Sequence, residues 1–416
     1  MIRFISTIIL LGLYLSPAAQ QLSTIYGGGV RTEIDPISCA LLPSCNDQNS
    51  ASEDFCLDGF CAHNFVAGIP NAPIGHMDRY DNGEIVMTTD YRHSVIRHSV
   101  NQTSILKVTD PRIPKYWFFS YHIPARMDAN GAIWIPSWIY NGSILDYGLV
   151  RWSGSQVDTF RMQSPPPNYP VDLEIGPNGS VYLLTNNENL VSFDGQNWQS
   201  TNLNSNPALA NLQLKQLQFD TNGDLWLSGY NNQWDAALAH FDGTNWMTYQ
   251  SSISLVGSNT SFLISANGDK WLGSGHQNAS LARFNGSWTA YNGSTIGNLP
   301  PETRLNPKEG PNNTLWLASG TNGITRLDIN TGTYTQFSSQ NSGYPFSEGG
   351  LIAAHPNSNE IHFNNPVLGE NEIGQYDGIT WNVISPVAGP GEENNHAFLS
   401  LEADGRIWYR GQYSKI

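Results

Sequence analysis

Charge is scarce in this chain. Only 13% of its 416 residues are charged, against a usual ~25%, and 20 Lys and Arg face 35 Asp and Glu for a net of −15. Nucleic acid and anionic membrane both reward clustered cations, so neither is expected as a partner. Long apolar runs are lacking too. After the first residues no segment approaches the ~20 apolar residues that cross a bilayer, and no membrane insertion is expected. Cysteine is absent after Cys61, which leaves Cys39, Cys45, Cys56 and Cys61 in one short stretch. Also missing are a phosphate-cradling glycine loop, a nucleophile elbow and an HExxH helix, the usual marks of nucleotide hydrolysis, acyl transfer and zinc proteolysis.

What is present begins with an export signal. Arg3 gives the positive start, Phe4 to Leu15 form a short apolar run, and Ser16-Pro17-Ala18-Ala19 offers small residues for cleavage. Residues 1–19 therefore read as a signal peptide, and the mature chain as secreted, whether periplasmic or extracellular. In that compartment the cysteines pair as disulfides, with three pairings open. Their intervals lack the paired C-x2-C knuckles of a structural zinc site, so no metal is expected there.

One hairpin motif then recurs to the end of the chain. It reads NGEIVM at Asn82, NGAIWI at Asn130, NGSVYL at Asn178, NGDLWL at Asn222, NGDKWL at Asn267, NNTLWL at Asn312, SNEIHF at Ser358 and DGRIWY at Asp404. Successive starts lie 44 to 48 residues apart, the interval of a four-stranded propeller blade. Asn-Gly and Asp-Gly take φ > 0 at little cost and close tight hairpins. The alternation that follows buries one face, and Trp134, Trp226, Trp271, Trp316, Trp408 and Tyr182 share one register. A second hairpin follows in most copies, as in SFDGQNWQST from Ser192, HFDGTNWMTY from His240 and QYDGITWNVI from Gln375. Each unit thus holds strands A and B around one tight turn, and strands C and D around another. An all-β, eight-bladed propeller is predicted over 78–416, with seven blades as the alternative, and 20–77 form an N-terminal extension.

NGDLWL followed by LAHFDGTNWMTY resembles the two-component regulator propeller repeat, found in sensor ectodomains of bacterial hybrid histidine kinases and in exported proteins. The resemblance runs from about Asp78 to the end and implies a propeller. It implies little about activity, because propellers host many functions. No kinase region accompanies it.

After DGRIWY and Arg410 comes GQYSKI, which aligns with a third strand and leaves the eighth blade without its fourth. An open edge at the seam invites aggregation. The segment Leu22 to Ile34 holds two β-like runs around a glycine turn and is predicted to supply the missing strand. A single closed ring of this kind is expected to be a monomer.

The tight A–B and C–D turns emerge on one face of such a ring, and the longer B–C and D–A loops on the other. Function is expected on the second face, on loops held by a rigid scaffold. Trp117, Trp138, Tyr140, Tyr230, Trp234, Tyr344 and His396 fall there and are the candidate ligand contacts, since rings outside the repeat register need another reason to be present. They suit a glycan or an extracellular protein. The alternative is a carbohydrate-active enzyme. A polysaccharide lyase would take its base and cation from Tyr91, Arg92, His93, His276 and Arg304. A glycosidase would need two carboxylates from Glu348, Glu370, Glu372, Glu392 and Glu393. No cofactor is expected. Asp220, Asn222 and Asp224 mimic the start of a calcium loop, but sister copies replace the acids, and the string reads as a turn.

Overall fold

The computed structural model describes residues 22–26, 29–38, 52–57, 60–65, 74–80, 84–89, 94–99, 102–107, 110–114, 117–119, 123–140, 145–162, 170–255, 260–274, 281–291, 304–318, 323–349, 352–354, 358–364, 372–384, 398–401 and 407–410. These residues make eight sheets, one per repeat, antiparallel except for one pair in the eighth: six of four strands, one of five and one of six. In blade 4, for example, the strands are Leu212–Phe219, Leu225–Asn231, Asp235–Phe241 and Trp246–Ser254, paired in chain order. From blade 2 to blade 8 each first strand abuts the next, that of the eighth abuts that of the first, and an Arg126–Asp78 ion pair joins blades 1 and 2. The protein is an eight-bladed β-propeller closed by an N-terminal strand.

Closure differs from the sequence expectation in one respect. Leu22–Tyr26 pairs with Ile407–Arg410, and in parallel, so it takes the third place in blade 8 and not the fourth. Gly29–Ser38 follows as the fourth strand, and the hairpin of Phe60–Phe65 and Ser52–Leu57 extends the sheet outward. An incoming hairpin supplies two strands at once, so the first can run parallel to its neighbour with no connecting turn. Cys56 and Cys61 are register partners in the outer hairpin. Cys39, Cys45, residues 1–19 and the GQYSKI segment lie outside the described residues.

The repeat register explains the core. Trp271 and Trp316 are fully buried and Trp134 and Trp226 nearly so, each wedged between its own blade and the next. Burial of a large ring is worth roughly 4–6 kcal/mol by area, as an upper bound. Residue six before the ring completes the motif. Asp128 and Asp220 each accept the indole N–H of Trp134 or Trp226 at 2.9 Å, while their other oxygen accepts two turn amides. Ser265 takes that place for Trp271. Both oxygens of Asp220 are thus occupied by N–H donors in the DTNGDLW turn. Opposite the ring, strand C supplies a cation: Arg151 lies over Trp134, Arg283 over Trp271 and Arg326 over Trp316, at 5.5 to 6.0 Å.

The innermost strands have one unpaired edge, whose buried amides need acceptors. Side chains of neighbouring blades provide them. Tyr80 accepts from Met127 N at 2.7 Å, Asp172 from Leu217 N at 2.9 Å and Gln218 from Ile264 N at 3.0 Å. Arg126 bridges Asp78 of blade 1 and Glu174 of blade 3. These contacts lock the ring without any covalent link.

Candidate functional site

The described part of the B–C and D–A face is best defined at blades 3 and 4. Strand B of blade 4 closes with the buried Tyr230 and then Asn231, where the chain turns. The Asn231 side chain accepts from Gln233 N at 2.9 Å and from Asp235 N at 3.0 Å, the local bonding that makes Asn a turn residue. Leu255 N clamps Trp234 O at 2.7 Å. The turn holds Trp234 at φ 65°, a left-handed conformation that costs a bulky residue roughly 1–2 kcal/mol. Its indole stacks on Tyr230 at 4.5 Å with 20° between the rings. Even so, the residue is 44% exposed, the most open of the described tryptophans.

Two charged groups flank this pair. Lys215 sits at a bulge in strand A, between Leu214 and Gln216, and its amine lies 5.7 Å from the Tyr230 ring centroid. Glu188, in the B–C turn of blade 3, is buried and also left-handed at φ 58°. Its carboxylate accepts from Leu214 N at 3.2 Å across the blade boundary. Burial raises the Glu188 carboxyl above its ordinary value, opposed by Lys215 and the Leu214 amide. Burial first, and then the Glu188 charge, push the Tyr230 hydroxyl up. The result is a rigid aromatic shelf with one ammonium and one carboxyl beside it. That suits stacking and hydrogen bonding to a ligand.

The other sequence candidates fare differently. Trp117 is a correction: it is buried in a core cluster and belongs to an inner strand, Trp117–Phe119, not to a loop. The innermost strand of blade 2 is split, and Trp117 pairs with Ile139 on an extended strand B while the second piece, Arg126–Met127, pairs lower down. That same extension, Ile133–Tyr140, places Trp138 and Tyr140 in a strand instead of the expected loop. Trp138 is half-buried and lies 4.9 Å from the Tyr147 ring. Tyr344 is also a correction: it is buried in a core cluster, its hydroxyl donating to Glu348 O at 2.8 Å. Tyr230 serves as the floor beneath Trp234 and presents little surface of its own. Arg304 begins strand A of blade 6. Tyr91, Arg92, His93, His276, Glu370, Glu392, Glu393 and His396 lie outside the described residues.

Sequence reasoning missed Glu188 and Lys215. A signal for Lys215 exists, since it is the one cation in the strand LQLKQLQF. Glu188 carries none, because its importance comes from a neighbour in the next blade. Among the described residues no group of three or more His, Cys, Asp or Glu is placed to hold a metal ion, and no helix is long and apolar enough to cross a membrane.

No protein-family model matches the chain, and no curated protein does. Solved structures similar to it include virginiamycin B lyase from Staphylococcus aureus, at 14% identity and a TM-score of 0.47, covering 82% of this chain and 92% of the lyase. PorZ, a surface component of the type-IX secretion system of Porphyromonas gingivalis, matches at 14% identity and 0.48, over 82% of this chain and 50% of PorZ. The extracellular domain of the putative hybrid two-component system BT4673 from B. thetaiotaomicron matches at 14% and 0.31, over 84% of this chain and 54% of that one. No functional statement follows from likenesses this distant.

Proposed function

We propose that this chain is an exported recognition module that binds a glycan on the B–C and D–A face, with Trp234 as the anchor. The observation that carries the reading is a large ring held open to solvent in a costly backbone conformation, over a buried partner ring. A protein does not need Trp234 for its core, and strain retained at an exposed position points to use. The flat face of a sugar ring stacks on indole, and Lys215 and Glu188 supply a donor and an acceptor for its hydroxyls. Export rests on the N-terminal signal pattern, and kinship with the two-component regulator propeller repeat rests on the hairpin motifs.

A glycan array probed with the purified chain tests the proposal. Trp234→Ala should lower the strongest signal about five- to tenfold, given stacking worth about 1–1.5 kcal/mol and an affinity change of tenfold per ~1.4 kcal/mol. Absence of any glycan signal, or signals that Trp234→Ala leaves untouched, sinks it. Selective capture of a protein ligand lost in the same variant would keep the face and change the ligand.

A further inference from the structure

The second unexplained feature lies along the outer strand of blade 3. A groove of about 670 Å³ opens between the outer strands of blades 2 and 3, within the ~300–1,000 Å³ typical of small-ligand sites. Its floor is aromatic. Phe160, on the outer strand Val157–Arg161 of blade 2, stands 4.8 Å from Phe193, and Phe193 stands 4.5 Å from Trp198 on the outer strand of blade 3. Phe193 is buried, while Phe160 and Trp198 keep part of their rings accessible.

The rim is neutral. Gln196, Gln199 and Ser200 line it, and their side chains have no hydrogen-bond partner among the described residues. The one charged residue of the lining, Arg161, donates to Asp146. A chain with a net charge of −15 therefore carries here a depression with no carboxylate in its lining and its single cation already paired.

We infer that this groove is a second carbohydrate site, one that takes a short stretch of a neutral polysaccharide. Stacked rings receive the C–H face of a pyranose. The Gln196 amide in the turn and the Ser200 hydroxyl, on the same strand face as Trp198, offer donors and acceptors to sugar hydroxyls without any charge. An anionic sugar would find its only counter-ion committed to Asp146. The site goes beyond the Trp234 shelf and does not depend on it, because no residue of the shelf lines the groove. Occupied together on one polymer, they would hold the module at two points and raise its apparent affinity.

The test uses the full chain in a Trp234→Ala background, titrated calorimetrically with short neutral gluco-, manno- and xylo-oligosaccharides. At least one should bind. Trp198→Ala should then weaken it about tenfold through lost stacking. Because Trp198 also packs on Phe193, a second variant, Gln196→Ala with Ser200→Ala, should lower affinity several-fold while the melting temperature stays put. Failure of every oligosaccharide to bind, or binding that neither variant reduces, overturns the inference. So does capture of an extended peptide by the groove, lost in the same variants. Loss of all sugar binding in Trp234→Ala alone would instead assign everything to the loop face.

Discussion

Trp226 and Trp234 stand in the same blade, eight residues apart, and differ in almost every physical respect. Trp226 lies on a strand, nearly inaccessible, with its N–H on Asp220, His240 stacked on it at 4.2 Å, and Lys270 4.0 Å from its ring centroid. Trp234 lies in a left-handed turn, stacked on Tyr230 and open to water. Residue type alone separates nothing here. What separates them is register, because only the ring in step with the repeat meets the next blade. The first holds the propeller together, and the second is available for work.

The largest expected effect comes from deleting a ring of the first kind. Trp316→Ala, in a fully buried position, should cost about 3–5 kcal/mol, measured by denaturant unfolding, whereas Trp234→Ala should cost about 1 kcal/mol or less. Equal losses would erase the distinction between core and shelf. The ring positions also differ among themselves. Trp316 has Gly310 where Trp226 has Asp220, and its indole N–H is buried without a partner. Trp226→Phe takes the indole donor from the Asp220 oxygen and leaves it Lys270 at 3.7 Å, at about 1 kcal/mol. Trp316→Phe removes an orphaned donor and should cost clearly less than Trp226→Phe.

The ring of inner-strand clasps sharpens the comparison from the side of the scaffold. Asp172 joins blade 3 to blade 4 through Leu217 N. Burial pushes its carboxyl up to about 6, with Arg126 and the two backbone amides that it accepts pulling the other way. A carboxyl raised in the folded state holds a proton that the unfolded chain has already released. Stability from this group is therefore greatest below its ordinary value near 3.8, falls as pH rises to about 6, and is flat above that. The full effect is about 3 kcal/mol. Asp172→Asn keeps an acceptor for Leu217 and should flatten that slope in unfolding midpoints taken across the window. A slope unchanged in the variant would show that Asp172 is ionised throughout. Trp234 variants should leave the slope alone.

Much of this was legible in the sequence, and the reasons are local. Asn-Gly turns and in-register tryptophans are properties of a few adjacent residues repeated eight times, so blade number and core rings could be read directly. DTNGDLW was legible as a turn, while the Asp-to-indole link inside it depends on a ring six residues further on. Strand-C arginines such as Arg151 and Arg283 were equally periodic. What could not be read depends on contacts between blades. Trp117 was out of register and so looked free, but a split inner strand carries it into the core. Tyr344 sat in an irregular stretch and is buried all the same. Glu188 became part of the shelf only through Leu214 and Lys215 of the next blade.

The smallest effect is the most telling. Trp234 pays for its position with a left-handed backbone, which glycine adopts freely. Trp234→Gly loses the stack on Tyr230, about 0.5–1.5 kcal/mol, and adds unfolded-state freedom, about 0.5–1 kcal/mol. It also relieves strain of roughly 1–2 kcal/mol, so its stability should match wild type to within about 1 kcal/mol. Trp234→Ala loses the same stack and keeps the strain. The glycine variant should therefore be the more stable of the two, the reverse of the usual order at ordinary backbone angles, while both lose glycan binding. Thermal unfolding of the pair decides the matter. An alanine variant that melts higher would mean that the turn tolerates the left-handed residue without cost, and exposure alone would then be left to argue for function at Trp234.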